Sequence, residues 1–146
     1  MKNKQQSFGN SGFEISPKRT RKHDFLDEMN RVIPWLPLVT LVAQYTPKGE
    51  TGRPPYEPEV MLRVYLLQQF FGLSDPAMEE ALHDVPLYCE FARLDVGISK
   101  VPDESTILRF RHLIERHGVA AKILDTVNAE LVSRNLLLRT GTVVDA

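Results

Sequence analysis

Four hydrogen-bond donors recur at helical spacing in the stretch PDESTILRFRHLIERHG of this 146-residue chain. At about 100° per residue they fall on one face of a helix, and the apolar side chains fall on the opposite face. The donors are Ser105, Arg109, His112 and Arg116, and the apolar residues are Ile107, Phe110, Leu113 and Ile114. This pattern is typical of a DNA recognition helix. Arginine can donate two hydrogen bonds to a guanine edge or a phosphate, and Ser105 and Thr106 in the first turn can reach phosphate. The alternative is a solvated outer face whose charge Glu115 offsets.

The start and the end of this helix carry capping signals. Asp103 is a residue type that accepts hydrogen bonds from the first backbone N–H groups of a helix, and Gly118 suits the end. Free N–H groups at a helix amino-terminus favour a bound anion. The sequence therefore predicts that the first turn of the recognition helix attracts phosphate.

A basic segment precedes the helical body. Residues 1–22 contain six Lys or Arg and one Glu, so this segment carries +5 and the rest of the chain −6. It is also rich in Ser, Asn, Gln and Gly, which predicts a flexible arm that can lie along a phosphate backbone. Its candidate DNA contacts are Lys18, Arg19, Arg21 and Lys22. The alternative is a solvated tail that aids solubility.

An acidic stretch without Lys or Arg, residues 75–90, lies between the arm and the donor-bearing helix. Its acidic residues are Asp75, Glu79, Glu80, Asp84 and Glu90. These carboxylates repel DNA, so we expect this part of the chain to face away from any DNA. It would instead support the fold or meet a partner chain.

Arg53 and Asp145 are two further candidates. Arg53 lies in GRPPY, a proline-fixed turn that would hold its guanidinium for a phosphate or groove contact, or equally for packing. Asp145 lies in GTVVDA, where two valines after a glycine predict the start of a buried strand. Strand carboxylates hold pairs of Mg²⁺ ions in phosphoryl-transfer sites, but one carboxylate cannot build such a site. By spacing alone, a lone Asp of this kind is most often solvated.

Composition excludes several other classes of protein. The chain is 42% hydrophobic and 25% charged, which is typical of one globular domain. The single cysteine, Cys89, excludes a disulfide framework and a multi-cysteine zinc site, and the four histidines lack ligand spacing. No apolar run reaches the roughly 18 residues of a membrane span. We therefore expect a cytoplasmic protein that does not enter a membrane.

The hydrophobic periodicity predicts an all-α body. Helices are expected in TRKHDFLDEMNRVI up to Pro34, in WLPLVTLVAQY with Trp35 as a core anchor, in EPEVMLRVYLLQQFFG, and in VAAKILDTVNAELVSRN. Between Gly72 and the donor-bearing helix, two short helices meet at Val85-Pro86, and Ser74 or Asp75 can cap the first of them. This pairing before an exposed helix predicts helix-turn-helix-like elements.

Three stretches together resemble the amino-terminal part of an InsH-type DDE transposase, of the bacterial insertion-sequence family five. They are GRPPYEPEVMLRVYLLQQFFGLSDPAMEEAL, PDESTILRFRHLIE and GTVVDA, and the resemblance runs from Phe25 to the last residue. It implies that the helical body that follows the basic arm of residues 1–22 is a DNA-binding domain over 23–135. Residues 136–146 would then begin an RNase H-like catalytic domain.

The resemblance also implies a partner, a cofactor and a role for Asp145. The partner is DNA, at the terminal inverted repeats of the element. Asp145 matches the first carboxylate of an Asp-Asp-Glu triad that holds two Mg²⁺ ions for DNA cleavage and strand transfer. The second Asp and the Glu have no counterpart in this sequence. We therefore expect an amino-terminal fragment that binds DNA, needs no cofactor and cannot cut or join DNA alone.

Two other interpretations stay open at this stage. The chain could be one half of a split or frameshifted active transposase, completed by a second polypeptide. It could also be a dimerisation module that binds no DNA, an interpretation that the −6 charge of residues 23–146 favours. A second copy of the chain or an intact transposase would be the protein partner.

Overall fold

The computed structural model describes residues 19–46, 56–95 and 100–134. All of the regular structure in these ranges is helical, which confirms the all-α prediction. The helices are α1 (Arg21–Val32), α2 (Trp35–Ala43), α3 (Pro58–Phe71), α4 (Asp75–Asp84), α5 (Pro86–Ala92), α6 (Glu104–Arg116) and α7 (Val119–Ser133). The strand predicted in GTVVDA lies outside the described residues. None of the described helices is both long and apolar enough to cross a membrane.

The chain divides into two compact units, residues 1–31 and 32–146. Within the first unit, α1 begins where the Thr20 hydroxyl accepts a hydrogen bond from the His23 backbone N–H at 3.1 Å. Arg21 and Lys22, which the sequence places in the basic arm, form the first turn of this helix. Arg31 in its last turn forms an ion pair with Glu28.

Helix α3 forms the centre of the second unit. It packs against α2, α4, α5 and α6, and α7 packs against α6 and α2. Because α3 has neighbours on most sides, it is apolar around nearly its whole circumference, and Leu62, Leu66 and Leu67 are completely buried. Complete burial of a leucine side chain contributes about 1.5–3 kcal/mol to folding, so α3 supplies much of the stability of this unit.

Both ends of α3 follow the signals in its sequence. Pro58 occupies the first turn, where its missing N–H costs nothing. Gly72 adopts the left-handed conformation with φ 63° and ψ 43°, and Leu73 N–H donates to the Gln68 carbonyl at 3.0 Å. This tight ending brings the start of α4 beside the end of α3, where the Gln68 amide donates to the Asp75 carboxylate at 2.8 Å.

One charged side chain lies inside this apolar centre. Arg63 is only 1% exposed and donates to the Glu59 carboxylate at 2.9 Å and to the Phe91 carbonyl at 3.0 Å. Its guanidinium carbon lies 3.8 Å from the centroid of the Trp35 ring. Burial is the main cause that lowers the pKa of Arg63. Trp35, expected as a core anchor, is half-buried and forms the cover over this cation.

The two short helices α4 and α5 meet at a tight joint, as predicted. Ser74, not Asp75, caps α4, since its hydroxyl accepts from the Ala77 backbone N–H at 3.2 Å. Val85 is extended between the two helices. The Cys89 thiol donates a hydrogen bond to the Leu82 carbonyl at 3.0 Å and therefore links α5 to the end of α4. The Cys89 side chain is buried.

Candidate nucleic-acid interface

The donor stripe of α6 lies on the surface. Its members, Ser105, Arg109, His112 and Arg116, are all exposed, and Thr106 beside them is half-buried. On the opposite side Ile107, Phe110 and Ile114 are buried, whereas Leu113 is half-buried. Helix α6 thus separates its apolar and polar faces as the periodicity predicted.

Arg109 and Arg116 differ from most other arginines of the second unit in their surroundings. Within the described part of the chain neither of them forms an ion pair, and Arg109 makes only a long hydrogen bond, 3.4 Å, to the Thr106 hydroxyl. By contrast, carboxylates hold Arg63 and Arg134. The stripe therefore presents guanidinium groups with most of their N–H donors available to a ligand.

The rotation of α6 is set by an arginine that the sequence analysis did not single out. Arg111 donates to both carboxylate oxygens of Asp75, at 2.8 Å and 3.2 Å, and to Glu115 at 3.3 Å. The Gln68 amide adds a third hydrogen bond to Asp75, at 2.8 Å. Hydrogen bonding from Arg111 is the largest cause that lowers the pKa of Asp75, and the same bond raises the pKa of Arg111. This network fixes α6 against α4 and α3 with the stripe turned outward.

The first turn of α6 is not the free anion site that the sequence suggested. The Asp103 carboxylate accepts from the Thr106 N–H at 2.9 Å, as expected of a cap, and this bond is the main cause that lowers the Asp103 pKa. The Glu79 carboxylate of α4 accepts from the Glu104 N–H at 2.8 Å. Two carboxylates of the protein therefore occupy this end of the helix, because its N–H groups attract any nearby anion, including those of the chain.

The acidic stretch divides into two groups with different surroundings. Asp75 and Glu79 turn towards α6 and hold it, so they support the fold, as one of the two expectations had it. Glu80, Asp84 and Glu90 are exposed. All three lie on α4 and α5, whereas the donor stripe lies on α6.

The remaining candidate residues lie elsewhere. Arg19 pairs with Asp24 at 3.0 Å and with Asp27, and these hydrogen bonds raise its pKa. Arg21 and Lys22 are exposed on α1. Lys18, Arg53 and Asp145 lie outside the described residues. Among the residues that are described, no three His, Cys, Asp or Glu side chains come close enough together to hold a metal ion.

A family model described as "Transposase domain (DUF772)" matches residues 13–113 of the chain. The match covers more than half of the sequence and includes the helices α1 to α5 and α6 as far as Leu113. No solved structure matches the chain.

Proposed function

This chain belongs to the transposase-domain family, and from that membership we propose that its helical body binds DNA through the exposed face of α6. The DNA we propose is the terminal inverted repeat of an insertion sequence, as the resemblance to InsH-type transposases implies. Helix-turn-helix proteins use an exposed helix held by shorter supporting helices in this way. Here α4 and α5 would support α6.

The observation that carries the proposal is the pair Arg109 and Arg116. Both are exposed on the same face of α6, and within the described residues no carboxylate pairs with either. An arginine without a carboxylate partner keeps most of its planar fork of donors for guanine or phosphate. His112 extends the same face with a further donor.

The proposal concerns DNA binding alone. Asp145, the residue that matches the first triad carboxylate, lies outside the described residues, and one carboxylate cannot hold a pair of Mg²⁺ ions. DNA cleavage and strand transfer with Mg²⁺ therefore stay an expectation from the resemblance.

A binding titration with a charge-matched control tests the proposal. The probes are a labelled duplex with the terminal repeat of the element and a scrambled duplex of the same composition. We expect the full chain to prefer the repeat, and Arg109→Gln with Arg116→Gln to weaken that binding by at least about tenfold, since one specific arginine contact contributes about 1–3 kcal/mol. The control, Lys122→Gln with Arg134→Gln, removes the same charge from α7 and its C-cap and should change the affinity by less than about twofold.

Two outcomes would contradict the proposal. If the α7 control weakens binding as much as the α6 variant does, the chain binds DNA only through its overall charge. If the chain binds neither duplex at low salt, it is not a DNA-binding domain.

The second of these outcomes would favour the alternative of a protein-interaction module. The exposed carboxylates Glu80, Asp84 and Glu90 support that alternative, because they offer an acidic surface to a basic partner. Sedimentation equilibrium of the chain alone would then show whether the partner is a second copy.

A further inference from the structure

Charge is distributed unequally along the length of α6. The carboxylates of Asp103, Glu104 and Glu79 surround its first turn. The side chains of Arg109 and Arg116 lie further along the exposed face. At about 1.5 Å per residue, Arg116 lies roughly 16 Å along the axis from Ser105. The first turn and the last turn of the same exposed face therefore offer opposite charges to a ligand.

The hydrogen bonds at the first turn strengthen this difference. A helix amino-terminus attracts phosphate because its N–H groups are free and carry partial positive charge. In α6 the N–H groups of Glu104 and Thr106 already donate to Glu79 and Asp103, at 2.8 Å and 2.9 Å. A phosphate at this position would find these two N–H donors already engaged, and it would lie close to two negative charges.

The end of α6 has the opposite character, and the fold holds it in place. Arg116 lies in the last turn, where the helix dipole stabilises a cation. The His117 ring stacks on the Tyr45 ring with centroids 4.7 Å apart, which ties the end of α6 to the segment after α2. Gly118 then starts α7 in a left-handed conformation with φ 72°.

We propose that α6 meets the phosphate backbone of DNA through Arg109, His112 and Arg116. Its first turn, where the N–H groups of Glu104 and Thr106 already donate to Glu79 and Asp103, makes no phosphate contact. This inference rests on the proposed function and makes it more specific. Recognition helices of helix-turn-helix proteins usually approach DNA with their amino-terminal residues. In this chain the later turns approach the DNA, and Ser105 makes no phosphate contact.

The test compares the two ends of α6 by the salt dependence of binding. Affinity for a labelled mixed-sequence duplex is measured over a series of salt concentrations for the full chain and its variants. The logarithm of the affinity falls as the logarithm of the salt concentration rises, and each lost phosphate contact makes this fall less steep by about 1. Arg116→Gln should therefore weaken binding and make the fall less steep by that amount. Ser105→Ala should leave both quantities unchanged.

Variants of the carboxylates complete the comparison. Glu79→Gln and Asp103→Asn remove the charge but keep an acceptor for the backbone N–H, and circular dichroism checks that the helices persist. We expect each of them to change the affinity by less than about twofold, because salt screens the interaction of these charges with phosphates bound at the later turns.

Two results would overturn the inference. If Glu79→Gln and Asp103→Asn strengthen binding severalfold while Ser105→Ala weakens it and Arg116→Gln does not, the first turn contacts phosphate; α6 would still bind DNA, so the proposed function would stand. If none of the variants changes binding, α6 does not contact DNA, and both the inference and the proposed function are wrong.

Discussion

Asp75 and Arg111 lie 36 positions apart in the sequence, yet the Arg111 guanidinium donates hydrogen bonds to both carboxylate oxygens of Asp75, at 2.8 Å and 3.2 Å. The pair is mostly shielded from solvent, since the Asp75 side chain is 11% exposed and that of Arg111 27%. It joins the first turn of α4 to the middle of α6. The outward orientation of the donor stripe therefore depends on a contact between two distant parts of the chain.

Replacement of Asp75 by Asn should destabilise the domain in a pH-dependent manner. The pKa of Asp75 is lowered in the folded protein, chiefly by Arg111, so its carboxylate stabilises the fold above the unfolded pKa of about 3.9. That stability is lost as the pH falls through the lower folded pKa. We expect Asp75→Asn to lower the free energy of unfolding by about 1–3 kcal/mol at neutral pH, and by progressively less in acid.

Urea unfolding at a series of pH values measures this effect. Asp125→Asn, which removes a carboxylate from the exposed face of α7, serves as the control and should change the unfolding free energy by less than about 0.5 kcal/mol. A deficit for Asp75→Asn that stays constant from neutral pH to strong acid would show that the ion pair does not contribute.

The contribution of the α6 cap to stability should appear as a difference in unfolding free energy between two substitutions of Asp103. Asp103→Ala removes the acceptor for the Thr106 N–H and should lower the unfolding free energy by about 1 kcal/mol. Asp103→Asn keeps an acceptor and should lower it by much less. Thermal unfolding monitored by circular dichroism makes the comparison, and equal losses in the two variants would contradict a capping role.

There is room for a side chain at Gly72, but the backbone conformation there disfavours any residue other than glycine. A Cβ added at this position meets no atom within 4 Å, while the backbone has φ 63°. Gly72→Ala should therefore cost about 1 kcal/mol from the left-handed conformation alone, and Gly72→Asn less, because asparagine adopts this conformation more readily. Chemical unfolding of the two variants tests this order. If Gly72→Asn costs as much as Gly72→Ala, the cost has another source.

The buried cation Arg63 should be far more sensitive to replacement than a surface arginine. Arg63→Ala removes the partner of Glu59 and of the Phe91 carbonyl and leaves a cavity beneath Trp35. We expect a loss of about 3 kcal/mol or more in the free energy of unfolding. Arg31→Ala breaks the exposed pair with Glu28 and should cost at most about 1 kcal/mol. Similar losses for the two variants would show that Arg63 contributes no more than a surface ion pair.

Local sequence signals predicted the helices of the second unit well. Asp103 caps α6 and Val85-Pro86 separates α4 from α5, as expected, and Pro58 and Gly72 bound α3. Each of these signals acts within one or two turns of its own position, so the local sequence alone determines where these helices begin and end. The exposed donors on α6 were predicted for the same reason, because helical periodicity assigns each residue to a face.

Contacts between distant residues could not be predicted in this way. Arg111 lies beside the donor stripe, and nothing in its neighbourhood shows that Asp75 holds it. Glu79 lies 25 positions before the N–H group that it caps, so the first turn of α6 looked free. Arg63 did give a signal, since an arginine in the apolar stretch MLRVYLL requires a buried partner. Glu59, one turn earlier on the same helix, is one such partner, whereas the Phe91 carbonyl comes from another helix.

The hydrogen bond between the Cys89 thiol and the Leu82 carbonyl gives the domain an internal kinetic probe. Cys89 is the only cysteine of the chain and is 3% exposed, and burial raises the pKa of its thiol. A thiol reagent can modify it only during moments when α5 separates from α4. The rate of modification of the unaltered protein therefore reports the opening of this corner, and its change on addition of DNA would show whether DNA restrains α4 and α5.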